Sequence, residues 1–460
     1  MGLAVNFIFV LIAASCSYIY LKLNTIPPKP IIEEKWWGPG PSHQVDSSIR
    51  PFKIDFSNEV VSDLKNRLSS TLPFQPPLEG VNQQYGMNTD LLKAVVDYWK
   101  DQYDFKTRER FLNQFPQFKT NIQGLDIHFI HAKPQNVPQG VEVVPLLIIH
   151  GWPGSVREFY EIIPHLITPA NGRDYVFEVI APSLPGYGFS DGAARPGLNA
   201  AHIAQLFNTL MKRLKLDRYY VQGGDWGAII SRDAAILYPE NIIAIHRNWC
   251  ITMPLFEWRT YVGALYPSLF FTPKEITKLY PISEQFTSLM MITGYFHIQA
   301  TKPDTVGVAI RDSPAGLAAY ILEKFTSGIN STFKTLSDGG LTKKNTIDQL
   351  LDNLMMYWVP RSFTTAARLY AEYFVPSYTL LNLDKIPIEI PAGCTRAEYE
   401  VNFPPEVILR VYHKNLIHLV DYDNLGHFAA FEAPELLSRD IIEFVSKVRR
   451  LSKKGASIEL

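Results

Sequence analysis

Residues 219 to 231 read Tyr219-Tyr-Val-Gln-Gly-Gly-Asp225-Trp-Gly-Ala-Ile-Ile-Ser231. Tyr219 to Gln222 has the composition of a buried strand, and Ala228 to Ser231 that of a helix start. Between them stands Gly223-Gly-Asp-Trp-Gly227. Small residues two before and two after the aspartate let the chain turn sharply from strand to helix, which holds the middle side chain exposed above a sheet. Such a turn is a nucleophile elbow, with aspartate at the position where serine is usual. Asp225 is therefore the candidate nucleophile. An acidic residue in a glycine-rich turn is the plain alternative, and the surrounding chain has to decide.

Outward from the elbow, buried continuous strands alternate with helical segments. The strands are Val143 to Ile149, Val176 to Ala181, Tyr219 to Gln222 and Ile242 to Ile245, with helices expected at Val156 to Leu166 and Ala201 to Leu214. Upstream, Thr120 to His131 reads as a hairpin turning at Gln123-Gly124. This alternation predicts a mostly parallel α/β sheet, and with the elbow an α/β-hydrolase fold. Helical patterns at Thr305 to Arg311, Pro314 to Phe325, Thr346 to Trp358 and Ser362 to Phe374 interrupt the strands and predict a lid. Strands are expected again at Ile386 to Pro391 and His418 to Asp421, before a closing helix at Pro434 to Arg449. The spacing of Val60, Val61, Leu64 and Leu68, and of Leu91, Leu92, Val95, Val96 and Trp99, predicts an amino-terminal helical region.

The chain thus divides into an anchor at 1–22, a linker and helical region at 23–119, the first part of the core at 120–252, a lid at 253–378 and the second part of the core at 379–460. The anchor is expected because Gly2 to Leu21 carries no charge over twenty residues, enough helix to span about 30 Å. No Lys or Arg precedes it, whereas Lys22, Lys29 and Lys35 follow. The positive-inside rule then places the body of the protein on the cytosolic side of the endoplasmic reticulum membrane as a single-pass protein. Trp36-Trp37-Gly-Pro-Gly-Pro41 reads as linker, with the tryptophans either at the interface or packed on the domain.

Over 460 residues, 47% hydrophobic and 19% charged with net charge −1 is the balance of a globular protein with a large core. It leaves no basic face for nucleic acid. Three cysteines are too few for a disulfide framework, and none forms C-x-x-C. That suits a reducing compartment and argues against zinc. No metal or organic cofactor is implied.

His150-Gly-Trp-Pro-Gly154 ends the strand from Val143, where this fold supplies the second donor of its oxyanion hole. The backbone N–H groups of Trp152 and Trp226 are the expected donors. His150 itself sits in a packed turn and reads as structural. The base should follow the last strand, because the chain order of this fold is nucleophile, acid, histidine. His427, in Gly426-His-Phe428, meets that requirement, while the other ten histidines are less well placed. Position leaves Glu398 or Glu400 as the acid, with Asp421 and Asp423 as solvated alternatives. A carboxylate nucleophile needs no deprotonation but expels an ordinary ester oxygen poorly, so it suits saturated carbon bearing a strained or good leaving group. Epoxides and alkyl halides fit.

The motifs His150-Gly-Trp-Pro-Gly-Ser155, Leu184-Pro-Gly-Tyr-Gly-Phe-Ser190, Gly223-Gly-Asp-Trp-Gly227, Gly294-Tyr-Phe-His-Ile-Gln299, Thr301-Lys-Pro-Asp-Thr305, Asp312-Ser-Pro-Ala-Gly-Leu317 and Gly426-His-Phe-Ala-Ala-Phe-Glu432 together resemble the microsomal epoxide hydrolases over nearly the whole chain. By overall similarity the chain resembles most the insect juvenile hormone epoxide hydrolases. The resemblance implies Asp225 as nucleophile, His427 as base, Glu400 as its acid partner, and Tyr295 and Tyr370 in the lid as donors to the epoxide oxygen. It implies a lipophilic epoxide as substrate, hydrolysed to a diol through an ester on Asp225. A phenol suits the donor role because it stays protonated at neutral pH. Two alternatives remain: a haloalkane dehalogenase, in which an indole or amide pair would face the leaving group, and an inactive hydrolase fold that binds a lipophilic hormone.

Overall fold

The strands are β1 (Arg50–Phe52), β2 (Gln117–Ile122), β3 (Leu125–Ala132), β4 (Glu142–Ile149), β5 (Tyr175–Pro182), β6 (Tyr219–Gly223), β7 (Ile242–Arg247), β8 (Ala392–Ala397) and β9 (Leu416–Tyr422). In the computed structural model, which describes residues 15, 18, 25–251 and 257–456, they form one sheet in the order β1-β2-β3-β5-β4-β6-β7-β8-β9. The first three strands pair antiparallel, and β3 meets β5 antiparallel. From β5 onward every pairing is parallel. The expected hairpin forms with Ile122 opposite Leu125, and both turn residues take positive φ, 53° at Gln123 and 87° at Gly124. A two-residue turn of that kind matches the twist of its strands.

Trp37 packs on the domain. Its backbone N–H donates to the Gln123 carbonyl and its Nε1–H to Gln123 Oε1, each at 2.9 Å. Apart from Ser15 and Tyr18, the segment from Gly2 to Leu21 lies outside the described residues; among the described residues no helix is long and apolar enough to cross a membrane.

Two expectations need correction, and one cysteine pair adds a link. Ile386 to Pro391 makes only an isolated bridge, Ile388 to His413, and the strand beside β7 is Ala392–Ala397. Pro387 and Pro391 have no N–H to give a central ladder, so pairing begins after them. Val156 to Leu166 is not one helix but a short 3₁₀ turn, Val156–Phe159, and a helix at Ile163–Ile167. Finally, Cys250 and Cys394 are joined by a disulfide with Cα atoms 5.9 Å apart. The β7–β8 register sets Arg247 opposite Cys394, which brings Cys250, three residues further on, within reach.

Between β7 and β8 the lid helices include Gly294–Thr301, Pro303–Asp312, Pro314–Ile329, Ile347–Trp358 and Phe363–Tyr373. The amino-terminal helices Asn58–Ser69, Thr89–Asp101 and Phe105–Leu112 are tied to this lid through buried charge. Asp352 accepts from Tyr103 Oη and Arg108 Nε at 2.9 Å, and from Arg157 Nε at 2.8 Å. Arg157 also grips Glu161 at 2.7 and 2.9 Å. Charges with side chains 0% exposed, as Arg157 and Asp352 are, persist only when paired and hydrogen-bonded.

Candidate active site

The elbow forms at the end of β6, and helix Trp226–Leu237 follows at once. Its glycines are dictated by close approach. A Cβ on Gly223 would collide with the Gly227 carbonyl, one on Gly227 with the Ile149 carbonyl, and one on Gly151 with the Asp225 carboxylate. Asp225 itself has φ 51° and ψ −125°, a conformation unfavourable for a residue with a Cβ and one found where geometry serves a site.

Two groups contact this residue directly, and a third acts through one of them. The Trp152 N–H donates to Asp225 Oδ1 at 2.8 Å. His427 Nε2 lies 3.2 Å from Asp225 Oδ2, and His427 Nδ1 lies 2.7 Å from Glu400 Oε1. Because both ring nitrogens face carboxylate oxygens, both act as donors and the resting ring is an imidazolium. Burial opposes that charge, but Glu400 first and Asp225 with it outweigh burial and hold the His427 pKa well above the usual histidine range. The Trp226 N–H makes no bond to the Asp225 side chain; it is one of the four donors that a helix start leaves unpaired.

The two candidate acids are placed differently. Glu400, on the loop after β8, reaches His427, whereas Glu398 Oε2 accepts from the Asn424 N–H at 2.8 Å. Asp421 is paired with Arg396 at 2.6 Å and Asp423 with Lys274 at 2.7 Å. His150 is structural: Nδ1–H donates to the Gly151 carbonyl at 3.0 Å and Nε2 accepts from the Leu184 N–H at 3.1 Å. Burial pushes it down to about 4, so it stays neutral. His246 and His418 bond to buried Asp440, at 3.0 and 2.7 Å, beneath the sheet-to-helix seam.

Both lid tyrosines stand over Asp225. Tyr295 stacks on Trp152 with centroids 4.8 Å apart, and Tyr370 meets Trp226 edge-on at 4.8 Å. The two phenol rings meet edge-on, with centroids 6.0 Å apart. Burial raises both pKa values well above the usual phenol range; for Tyr295 Asp225 adds to this, and for Tyr370 both Tyr295 and Asp225 do. Both remain donors at any physiological pH.

Pattern reading missed one positioning group at the site. Glu432 accepts from the N–H groups of Gly426 and Phe428, each at 2.8 Å, so its carboxylate clamps the loop on either side of His427. The His427 N–H itself donates to the Gly328 carbonyl of the lid at 2.9 Å. The quoted motif ending in Glu432 was the signal available, but its meaning lies in the fold.

Residues 49–159 match the family model described as epoxide hydrolase N terminus, and 144–258 the α/β hydrolase fold. The chain is 48% identical to juvenile hormone epoxide hydrolase of Bombyx mori, over 98% of each chain. It is 44% identical to epoxide hydrolase 1 of Oryctolagus cuniculus, over 91% of this chain and 94% of the other. The chain belongs to the epoxide hydrolase family. Among solved structures, that of the Bombyx mori juvenile hormone epoxide hydrolase superposes with TM-score 0.89 at 49% identity, covering 91% of this chain and 99% of the other. The Aspergillus niger epoxide hydrolase superposes at 0.73 with 27% identity, over 88% and 97%. Family membership favours epoxide over haloalkane chemistry, and the assembled Asp225, His427 and Glu400 speak against an inactive fold.

Proposed function

We propose that this epoxide hydrolase converts lipophilic epoxides to vicinal diols in two steps, with a juvenile-hormone-type terpenoid epoxide as substrate. The observation that carries the reading is His427 held between Glu400 and Asp225, with the half-buried Tyr295 and the buried Tyr370 packed against each other nearby. Asp225 opens the ring from the rear while Tyr295 and Tyr370 donate to the departing oxygen. Esterification removes the negative charge of Asp225, so one of the two charges that raise His427 disappears. The imidazolium can then release a proton for the alkoxide, which leaves the ring neutral and able to act as a base. His427 next deprotonates water as the water attacks the ester carbonyl, with Glu400 holding the ring. Trp152 N–H, and with a small adjustment Trp226 N–H, would stabilise the oxyanion. The chemistry needs no metal or organic cofactor. Comparing diol formation from a juvenile-hormone-type epoxide and from styrene oxide tests the substrate class: a higher kcat/KM for the terpenoid is expected, and equal values would argue for a xenobiotic role.

We also propose that Gly2 to Leu21 anchors the protein in the endoplasmic reticulum membrane with the catalytic body in the cytosol. The support is the uncharged run and the lysines that follow it. The sequon Asn330-Ser-Thr332 offers no readout of that orientation, because Asn330 is 7% exposed and its Oδ1 accepts from the Thr332 N–H at 2.9 Å. Protease added to sealed microsomes does report it: full digestion of the body is expected, and protection would reverse the topology.

A further inference from the structure

Glu158 is a titratable group beside the site that the two-step reading leaves unused. It sits on the 3₁₀ turn Val156–Phe159, which packs against helix Ala429–Glu432 just after His427 and against helix Ile347–Trp358. Its carboxyl lies over the Cα of Gly154, where a Cβ would collide with Oε1. Glycine at this position therefore makes room for the acid. Gly154 in turn is held by Tyr357, whose hydroxyl donates to its carbonyl at 2.7 Å. Among the described residues the Glu158 carboxyl makes no hydrogen bond and no ion pair, although it is half-buried within the field of His427 and Asp225. A carboxyl in such surroundings without a partner demands an explanation.

We infer that Glu158 positions the hydrolytic water: its carboxyl oxygen accepts one water hydrogen while His427 Nε2 accepts the other, which leaves a lone pair free to face the ester carbon of Asp225. Burial pushes Glu158 up to about 8, with His427 opposing and Asp225 adding to the rise, so the group is a neutral acid at pH 7. A neutral carboxyl can accept from water without taking its proton. In the step itself the water oxygen bonds to the ester carbonyl carbon, and the water proton passes to His427. The ester C–O bond then breaks, the diol oxygen takes the proton back from His427, and the Asp225 carboxylic acid so formed passes the second water proton to His427, which restores the resting pair. Glu158 keeps its own proton throughout. The same acid has nothing to do while the ring opens, because no water takes part in that step.

The inference rests on the covalent reading of Asp225, and the test separates the two. With styrene oxide as probe, stopped-flow tryptophan fluorescence and quenched intact-mass analysis give the alkylation and hydrolysis rates individually. Glu158→Leu should slow hydrolysis about tenfold or more, as loss of one well-placed hydrogen bond does, with alkylation within about twofold and more ester at steady state. Glu158→Gln, which keeps an acceptor oxygen, should retain most of the hydrolysis rate. A purely structural role would slow both steps together, and that result, or a Glu158→Leu enzyme hydrolysing at the normal rate, overturns the inference while leaving the covalent reading intact. If neither the parent enzyme nor its His427→Gln variant ever carries an adduct on Asp225, the two-step reading itself is wrong and the water-positioning role goes with it.

Discussion

Nδ1 of His427 donates to Oε1 of Glu400 across 2.7 Å, and this contact sets which ring nitrogen faces Asp225. Glu400 also accepts from the Val401 N–H at 2.8 Å through the same oxygen, so the carboxylate is oriented by its own loop. With Nδ1 engaged, Nε2 is left to Asp225 and to whatever replaces it as a proton partner during turnover. Three elements bring Asp225, Glu400 and His427 together: the end of β6, the loop after β8 and the loop before helix Ala429–Glu432.

Removing the base should separate the chemical steps. His427→Gln is expected to open the epoxide and stop there, giving protein heavier by one substrate in intact mass, with the adduct on the peptide holding Gly223 to Gly227. Asp225→Ala should show none. An active Asp225→Ala enzyme would mean that water attacks the epoxide directly.

The phenols share one oxygen. Tyr295→Phe or Tyr370→Phe alone should slow ring opening, and the double variant should lose roughly 10² or more. Hydrolysis of preformed ester should be spared. Single-turnover alkylation at the parental rate in the double variant would remove the tyrosines from the mechanism.

Glu432→Gln places an amide NH₂ against one of the two N–H groups that the carboxylate now accepts. Leaving that buried donor unsatisfied should cost about 1–3 kcal/mol, read from denaturant unfolding, with kcat falling as the His427 loop loosens. An unchanged midpoint would show that the clamp contributes nothing.

Glu432 also predicts a pH signature. Burial raises its folded pKa from 4.5 to about 7, against the two backbone N–H bonds that lower it. The native state therefore holds this proton where the unfolded chain has released it. Its contribution to stability is complete below about 4.5, declines as pH rises and is gone above about 7. The stability gap between the parent and Glu432→Gln should narrow across that window; a gap that widens with pH would reverse the sign.

Asp352→Asn should strand Arg108 and the fully buried Arg157 with one charge fewer between them. Breaking a buried pair from one side costs about 3–5 kcal/mol. Thermal unfolding should show it, with the amino-terminal helices losing protection from hydrogen exchange together with the lid. If only global stability changes and exchange in both regions does not, the seam is not where the network acts.

What the sequence by itself determined was local. The elbow at Asp225 was legible because a strand-to-helix reversal needs glycines around one exposed side chain, and the place of His427 because chain order in this fold sets a histidine after the last strand. The parallel sheet followed from buried strands alternating with helices, and the lid from a long helical interruption. Even so, the strand beside β7 was placed too early, since Pro387 and Pro391 suit extended chain without being able to join a central ladder. The tertiary structure alone decided matters of distance between remote positions. It separated Glu400 from Glu398, two residues on the same loop, by turning one carboxylate to His427 and the other to the Asn424 N–H. It paired Cys250 with Cys394 across 144 residues, and it put Glu432 beneath His427 and Glu158 over Gly154. Such placements come from strand register and packing, and neither leaves a periodic mark on the chain.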